Sequence, residues 1–146
     1  MSKKVTSEIK KLRENSKFAY IDSVNENGFP QIKCMFAIKS DDTRVHYFST
    51  NTSSKRVAQF YNNPKASVYY CNETMFKGAM FTGTMEICED RDTKERFWNK
   101  GDEKYYPKGI TDPDYCILKF NAESMNFYHG FSNTTLSIDE VETENE

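Results

Sequence analysis

Along the first turns of the chain, Val5, Ile9 and Leu12 recur four and three apart among Lys, Glu and Arg. That spacing predicts one helix laying an apolar stripe on a core. The period then falls to two. Phe18 to Val24 alternates loosely, and Asn25-Glu26-Asn27-Gly28 follows as a turn, Asn-Gly being a strong hairpin signal. After Pro30, Ile32, Cys34, Phe36 and Ile38 point one way while Lys33, Met35 and Ala37 point the other. Ser40-Asp41-Asp42-Thr43 is a second turn and Val45–Ser49 a third strand. These three strands are expected to form an antiparallel meander.

Thr50 to Ser54 is a polar, hydroxyl-rich loop, and Val57, Phe60 and Tyr61 then supply a helical stripe that Asn62-Asn63-Pro64 ends. Ala66–Cys71 is strand-like. Gly78–Cys88 is a longer strand with Ala79, Phe81, Met85 and Ile87 facing opposite to Thr82, Thr84 and Glu86. Gly83 in its middle suggests a bulge or a close backbone approach. Asp90–Lys100 is expected to be helical, Gly101–Asp114 loop-rich, and Tyr115–Phe120 and Ser124–His129 two further strands. From Ser132 the chain turns polar and ends in Glu-Thr-Glu-Asn-Glu, which predicts a frayed tail. Strands punctuated by short helices, without a βαβ rhythm, predict a mainly β fold: a six- to seven-stranded antiparallel barrel, closed or half-closed, with flanking helices. One domain is expected over 1–131, with a polar acidic tail over 132–146. No Gly-x-Gly-x-x-Gly joins a strand to a helix, which excludes a Rossmann unit in practice.

Composition narrows the function classes. Only 37% of the 146 residues are hydrophobic, but 11 Phe, 9 Tyr and one Trp enrich that fraction in large rings. Each such ring removes roughly 150–250 Å² from water, so few residues suffice for a core. Net charge is −2 with both signs spread along the chain, which argues against a general nucleic-acid surface. Cys34, Cys71, Cys88 and Cys116 lie far apart in strand-like runs and read as buried reduced thiols. With only His46 and His129 beside them, no metal site is expected. The charged start and the absence of a long apolar run point to a cytoplasmic protein without membrane contact.

Chemistry is visible in one place. Phe48-Ser-Thr-Asn-Thr-Ser-Ser-Lys-Arg56 joins a strand to a helix. With Ser53 as N-cap, Lys55 and Arg56 fall in the first turn. There they oppose a macrodipole whose N-terminus already carries about half a positive charge. An anion at that helix end resolves the conflict, because N–H groups, hydroxyls and two cations converge on it; a solvated surface pair is the alternative. Lys33 interrupts an apolar strand, either as a snorkelling edge residue or as a second contact to such an anion.

Together these segments resemble the FMN-binding split-barrel superfamily related to pyridoxamine 5′-phosphate oxidase, in its short general-stress-protein branch. The resemblance runs from about Lys10 to His129. It is carried by Phe18-Ala-Tyr-Ile-Asp-Ser-Val, Asn27-Gly-Phe-Pro30, Lys33-Cys-Met-Phe36, Val45-His-Tyr-Phe-Ser-Thr50 and Ser54-Lys55-Arg56 with Asn62-Asn-Pro64. Gly83, Phe97-Trp98, Tyr106-Pro-Lys-Gly109 and Asp112-Pro113 complete it. The resemblance implies a homodimer with two FMN sites at the subunit interface. It implies Lys33 near the flavin phosphate or ribityl chain, and Cys34, Met35 and Phe36 along the isoalloxazine ring. Ser49 and Thr50 fall beside the flavin, and Ser54, Lys55 and Arg56 form the phosphate cradle. It also sets Phe127-Tyr-His129 near the partner's flavin. The Arg-x-His element of full-length pyridoxamine phosphate oxidases is missing: Phe127-Tyr128-His129-Gly130 leads into a segment with no Arg.

Two readings follow. In one the chain is an FMN-dependent oxidoreductase, reduced by a nicotinamide or another small donor, with no side chain that demands to be a general acid, base or nucleophile. In the other it is a flavin-binding stress protein without turnover, or it holds another cofactor such as haem, with His129 as axial ligand, or a deazaflavin. An interaction module with no cofactor would leave the Lys55–Arg56 pair without a role.

Overall fold

The computed structural model describes residues 2–142. Helix α1 (Ser2–Asn15) sinks Val5, Ile9 and Leu12 into the core and ends where the Ser16 hydroxyl donates to the Leu12 carbonyl at 2.6 Å. Strands β1 (Phe18–Val24) and β2 (Pro30–Phe36) form the expected hairpin. Its turn is held by the Asn25 side-chain oxygen, which accepts from the N–H groups of Asn27 and Phe29. Gly28 takes the positive φ of 83° that the turn requires.

The meander stops there. Strand β3 (Val45–Asn51) pairs with β6 (Tyr115–His129), not with β2. Between them the Asp42 carboxylate accepts from the N–H groups of Arg44 and Val45, and buried Arg13 donates to the Asp42 carbonyl. This turn launches β3 toward the far side of the sheet instead of folding it back on β2. Helix α2 (Lys55–Asn62) follows, then β4 (Lys65–Asn72) and β5 (Lys77–Cys88). Helix α3 (Arg91–Arg96) is shorter than expected, because Phe97 and Trp98 leave it to pack elsewhere. Strand β6 runs unbroken over Tyr115–His129, where the sequence suggested two strands. A register shift opposite Gly83 carries it through Ala122.

The C-terminal segment is also corrected. Residues 132–142 are not frayed: β7 (Ser132–Ser137) pairs with the second half of β6, and α4 (Ile138–Glu142) buries Ile138 and Val141. Arg44 fixes α4 through Asp139 at 2.6 Å and Glu142 at 3.1 Å. Residues 143–146 of the expected tail lie outside the described residues. The strand order is β2-β1-β4-β5-β6-β3, with β7 beside β6, all antiparallel.

Alternation gives this sheet two apolar sides. The inner side, with Ile21, Phe48, Val68, Phe81, Leu118 and Phe120, is the barrel core closed by α1 and α2. On the outer side, Tyr115 and Ile117 collect Tyr106, Phe97, Trp98 and Tyr47 into a second aromatic cluster beneath α3. Of the cysteines, only Cys116 is buried; Cys71 and Cys88 are half-buried and Cys34 is exposed, all four as free thiols. Burial was expected of all four, but Cys34 sits on an edge strand whose apolar face is uncovered. Among the described residues, no helix is long and apolar enough to cross a membrane.

The core contains an imidazole. His46 is 1% exposed and packs edge-on to Phe81 and Phe120. Its Nε2 donates to the Thr43 carbonyl at 2.8 Å, which leaves Nδ1 to accept from the Tyr70 hydroxyl at 2.8 Å. Burial, and then the charge of Arg13, push its pKa down to about 3. The unfolded chain, with His46 near its ordinary value of 6.5, binds this proton more readily than the folded one. Stability is therefore fully present above that value and declines as pH falls toward 3. The expected slope from this residue is about 1.4 kcal/mol per pH unit. Urea unfolding of wild type and His46→Gln between pH 6.5 and 4 checks it; the two slopes should differ by about that amount, and parallel slopes would contradict it.

Candidate functional site

β2 and β3 stand at the two ends of the strand order, and no ladder joins them. The barrel is thus split along one seam. Its two lips carry Lys33, Cys34, Met35 and Phe36 on β2 and Ser49 and Thr50 on β3. The chain passes from β3 directly into α2, which brings Ser54, Lys55 and Arg56 to the end of the seam where Thr50 lies.

Strand alternation divides these residues between two faces. Lys33 pairs with Ile21 and Met35 with Ala19, so both lie on the inner side, Met35 packed against the core and Lys33 at the exposed edge. Cys34 and Phe36 pair with Tyr20 and Phe18 on the outer face. Thr50 points inward and is buried, whereas Ser49 lies on the outer side, opposite Ile117.

The head of α2 is built closely. Ser54, not Ser53, is the N-cap: its hydroxyl accepts from the Val57 N–H at 3.4 Å. Ser53 belongs to the loop, where its N–H donates to the Asp114 carboxylate at 2.9 Å, and the Thr52 N–H donates to the Asp114 carbonyl at 2.8 Å. By sequence Asp114 falls only within the expected loop-rich stretch Gly101–Asp114. An acidic residue just before a strand was the available signal, and its partner lies far away in sequence.

Arg56 turns inward. Its Nη2 donates to Thr50 Oγ1 at 2.9 Å, and its Nε is buried with no hydrogen-bond partner among the described residues. Burial pulls its pKa below the ordinary value. Leaving such a donor unmade costs about 1–3 kcal/mol, more for a charged group, so a buried guanidinium edge is a place where an anion would be stabilised. Lys55, one residue earlier, stays exposed. It lines an open groove of about 650 Å³ between α2 and the β1–β2 turn, together with Gln31, Gln59, Asn62 and Asn63. Gln31 lies two residues before Lys33 on the same side of β2, so the groove leads along the seam. Ser23 donates to Gln59 at 2.5 Å and fixes its side chain there.

The outer face carries a second concavity of about 590 Å³, formed by Tyr20, Asp22, Ile32, Ser67, Tyr69 and Met80 with Cys71 and Glu73 at its rim. Asp22 Oδ1 is buried there with no partner among the described residues, and burial raises its pKa.

This architecture has relatives. The model of the family described as pyridoxamine 5′-phosphate oxidase matches residues 5–129. The chain belongs to the pyridoxamine 5′-phosphate oxidase family. A structure from Clostridium acetobutylicum of a protein related to general stress protein 26 of B. subtilis (pyridoxinephosphate oxidase family) superposes with a TM-score of 0.86. The two are 42% identical over 95% of this chain and 98% of that one. General stress protein 26 from Bacillus anthracis superposes at 0.74 with 22% identity, over 90% of this chain and 97% of that one. A heme binding protein from Mycobacterium smegmatis shares the fold at 0.74 with 10% identity, over 95% of this chain and 60% of that one. Among curated proteins none matches the chain.

Both ring nitrogens of His46 are engaged within the core, so that residue has none to offer a metal. His129 sits at the exposed end of β6, opposite Lys77 and Ser132.

Proposed function

We propose that the chain binds FMN in the seam between β2 and β3 and acts as a flavin-dependent oxidoreductase of the general-stress-protein type. The observation that carries this reading is the head of α2, where the unpaired Nε of half-buried Arg56 and the exposed Lys55 lie side by side. These residues fit a terminal phosphate: Lys55 supplies a mobile charge, Ser54 the cap, and Arg56 a fixed guanidinium oriented by Thr50. Lys33 stands further along the same lip, in reach of a ribityl chain. Bound FMN supplies hydride and electron transfer, and the chain's residues bind and orient it. A reduced nicotinamide is the donor this reading tests first. Oxidation of pyridoxamine phosphate is not part of it, because β7 and α4, which follow β6, offer no Arg. The reading places the protein in the cytoplasm.

The second subunit covers the outer face. Ile32 is 72% exposed, Phe36 69%, Phe18 42% and Met80 41%, all on one side of the sheet beside the concavity at Asp22. A contiguous apolar patch of this kind marks an association surface, and a second copy with the same patch covers it isologously. The expected result of Ile32→Asp with Phe36→Asp is a monomer in sedimentation, where the wild type is a dimer. A double variant that remains dimeric would place the interface elsewhere.

The haem-binding neighbour motivates one alternative, which rests on His129 as the remaining histidine. Absorbance decides between them. Protein incubated with excess FMN and desalted is expected to keep about one flavin per chain. An intense Soret band after haem loading, with no flavin retained, would replace this reading with the haem one; neither signal would leave the chain without a cofactor.

A further inference from the structure

The groove beside Lys55 is far larger than a phosphate needs. It follows α2 from Lys55 to Asn62 and reaches across to the β1–β2 turn. The helix rises about 1.5 Å per residue, so Lys55 and Asn62 stand roughly 10 Å apart along its axis. A volume of about 650 Å³ has room for about twenty waters at roughly 30 Å³ each, and one phosphate displaces only a few of them.

Carboxamides line this groove, and the fold orients them. In the β1–β2 turn the Asn25 side-chain oxygen accepts from the N–H groups of Asn27 and Phe29. On α2 the Gln59 oxygen accepts from Ser23, and just beyond the helix the Asn63 oxygen accepts from the Lys65 N–H at 3.1 Å. An amide whose oxygen is held inward turns its two N–H donors outward. Among the described residues, the side-chain nitrogens of Asn25, Gln59 and Asn63 meet no acceptor, and the Asn62 side chain has no hydrogen-bond partner. The groove is thus a row of oriented donors with Lys55 at its head and apolar wall from Val24 and Ala58. Glu26 stands on its rim as an acceptor.

Such a row suits a ligand that consists largely of acceptors and is longer than one phosphate. A nucleoside phosphate has that chemistry. Its phosphate oxygens and the ring nitrogens of a purine accept from N–H groups, its base has flat faces to lay on Val24 and Ala58, and its ribose hydroxyls can donate to Glu26.

We propose that the groove holds a nucleoside phosphate joined to the phosphate at the head of α2, so that the flavin this chain binds most tightly is flavin adenine dinucleotide. This rests on the reading of the seam as a flavin site and extends that site past the first phosphate. FMN ends at Lys55 and leaves the oriented amides to water; the dinucleotide uses them.

Calorimetric titration of the full-length chain with each flavin tests this. Wild type is expected to hold the dinucleotide about tenfold more tightly than FMN. Asn62→Ala removes a donor that the fold does not use, and Asn25→Asp keeps the oxygen that holds the turn while replacing its NH2 group. The double variant is expected to unfold in urea as wild type does, to bind the dinucleotide about tenfold more weakly, and to keep its FMN affinity within about twofold. Asn62→Ala alone, which leaves the turn untouched, should show about a threefold loss for the dinucleotide. Wild type that binds both flavins equally overturns the proposal and leaves the FMN reading in place. So do variants that weaken both flavins by one factor, because the amides would then act on the first phosphate alone, and variants that weaken neither. Wild-type protein that takes up neither flavin removes both readings.

Discussion

Lys55→Glu is expected to weaken FMN binding on the order of 100-fold with no change in the unfolding curve. The two halves of that expectation come from the same geometry. Lys55 projects from the first turn of α2 into open space and forms no hydrogen bond or ion pair among the described residues, so the fold does not rely on it. A phosphate monoester carries about −1.5 to −2 charges near neutral pH. Reversing Lys55 therefore replaces an attraction with a repulsion at the helix end that the macrodipole had made favourable for anions. Lys55→Ala removes only the attraction and should cost about tenfold. Arg56 is a poorer probe, because its bond to Thr50 ties it to the fold. Titration with FMN, followed by quenching of flavin fluorescence, gives the affinities; Lys100→Glu, an exposed reversal outside the site, is the control. Equal affinities for Lys55→Glu and wild type would remove the phosphate from α2.

Gly83→Ala should destabilise the protein by roughly 4 kcal/mol or more, enough to leave a marginal domain largely unfolded. Gly83 faces inward at the register shift between β5 and β6, and an added Cβ would run into the Asn121 carbonyl and the Ala122 backbone. A flexible side chain could swing aside, but this obstacle is main chain. It is pinned on one side by the pairing of Gly83 with Ala66 and on the other by that of Asn121 with Val45. Relief requires the two longest strands to separate. Gly28→Ala is the informative contrast: nothing lies near its added Cβ, and only the positive φ resists, which costs about 1 kcal/mol. Urea unfolding of both variants gives the comparison. A Gly83→Ala protein within 1 kcal/mol of wild type would mean that the strands approach less closely than described.

Period and punctuation made much of this legible in the chain itself. The Val5, Ile9, Leu12 stripe, the Asn25–Gly28 turn, the stop at Asn62–Pro64 and the irregularity at Gly83 are all local signals, and each marks what it promised. Alternation tells which face a residue takes but not which strand lies next to it. That is why the pattern points β3 at β2, although its partner comes much later in the chain. Asn121-Ala122-Glu123 resembled a break because polar residues interrupt the apolar run, yet the bulge opposite Gly83 absorbs it within one strand. Leu136, Ile138 and Val141 are too few to stand out among the acids and hydroxyls around them, so β7 and α4 were hidden by composition. At the candidate site the charge pattern exposed Lys55 and Arg56. It could not show that Arg56 bends under Thr50, nor that Asp114 holds Ser53, since both depend on neighbours supplied by tertiary structure.

The fifteen residues of β6 serve three other strands: β5 along one edge, and β3 and β7 end to end along the other. During synthesis this creates a waiting period. β3 leaves the ribosome well before the strand it needs, and until β6 follows, its edge and the apolar rings of Phe48 and Tyr47 have no permanent cover. Contacts of such long sequence separation fold slowly, and unpaired edges invite other chains. A nascent chain halted before Tyr115 should therefore be a client for chaperones, and about the last fifth of the sequence completes a barrel that the part before it can only hold open.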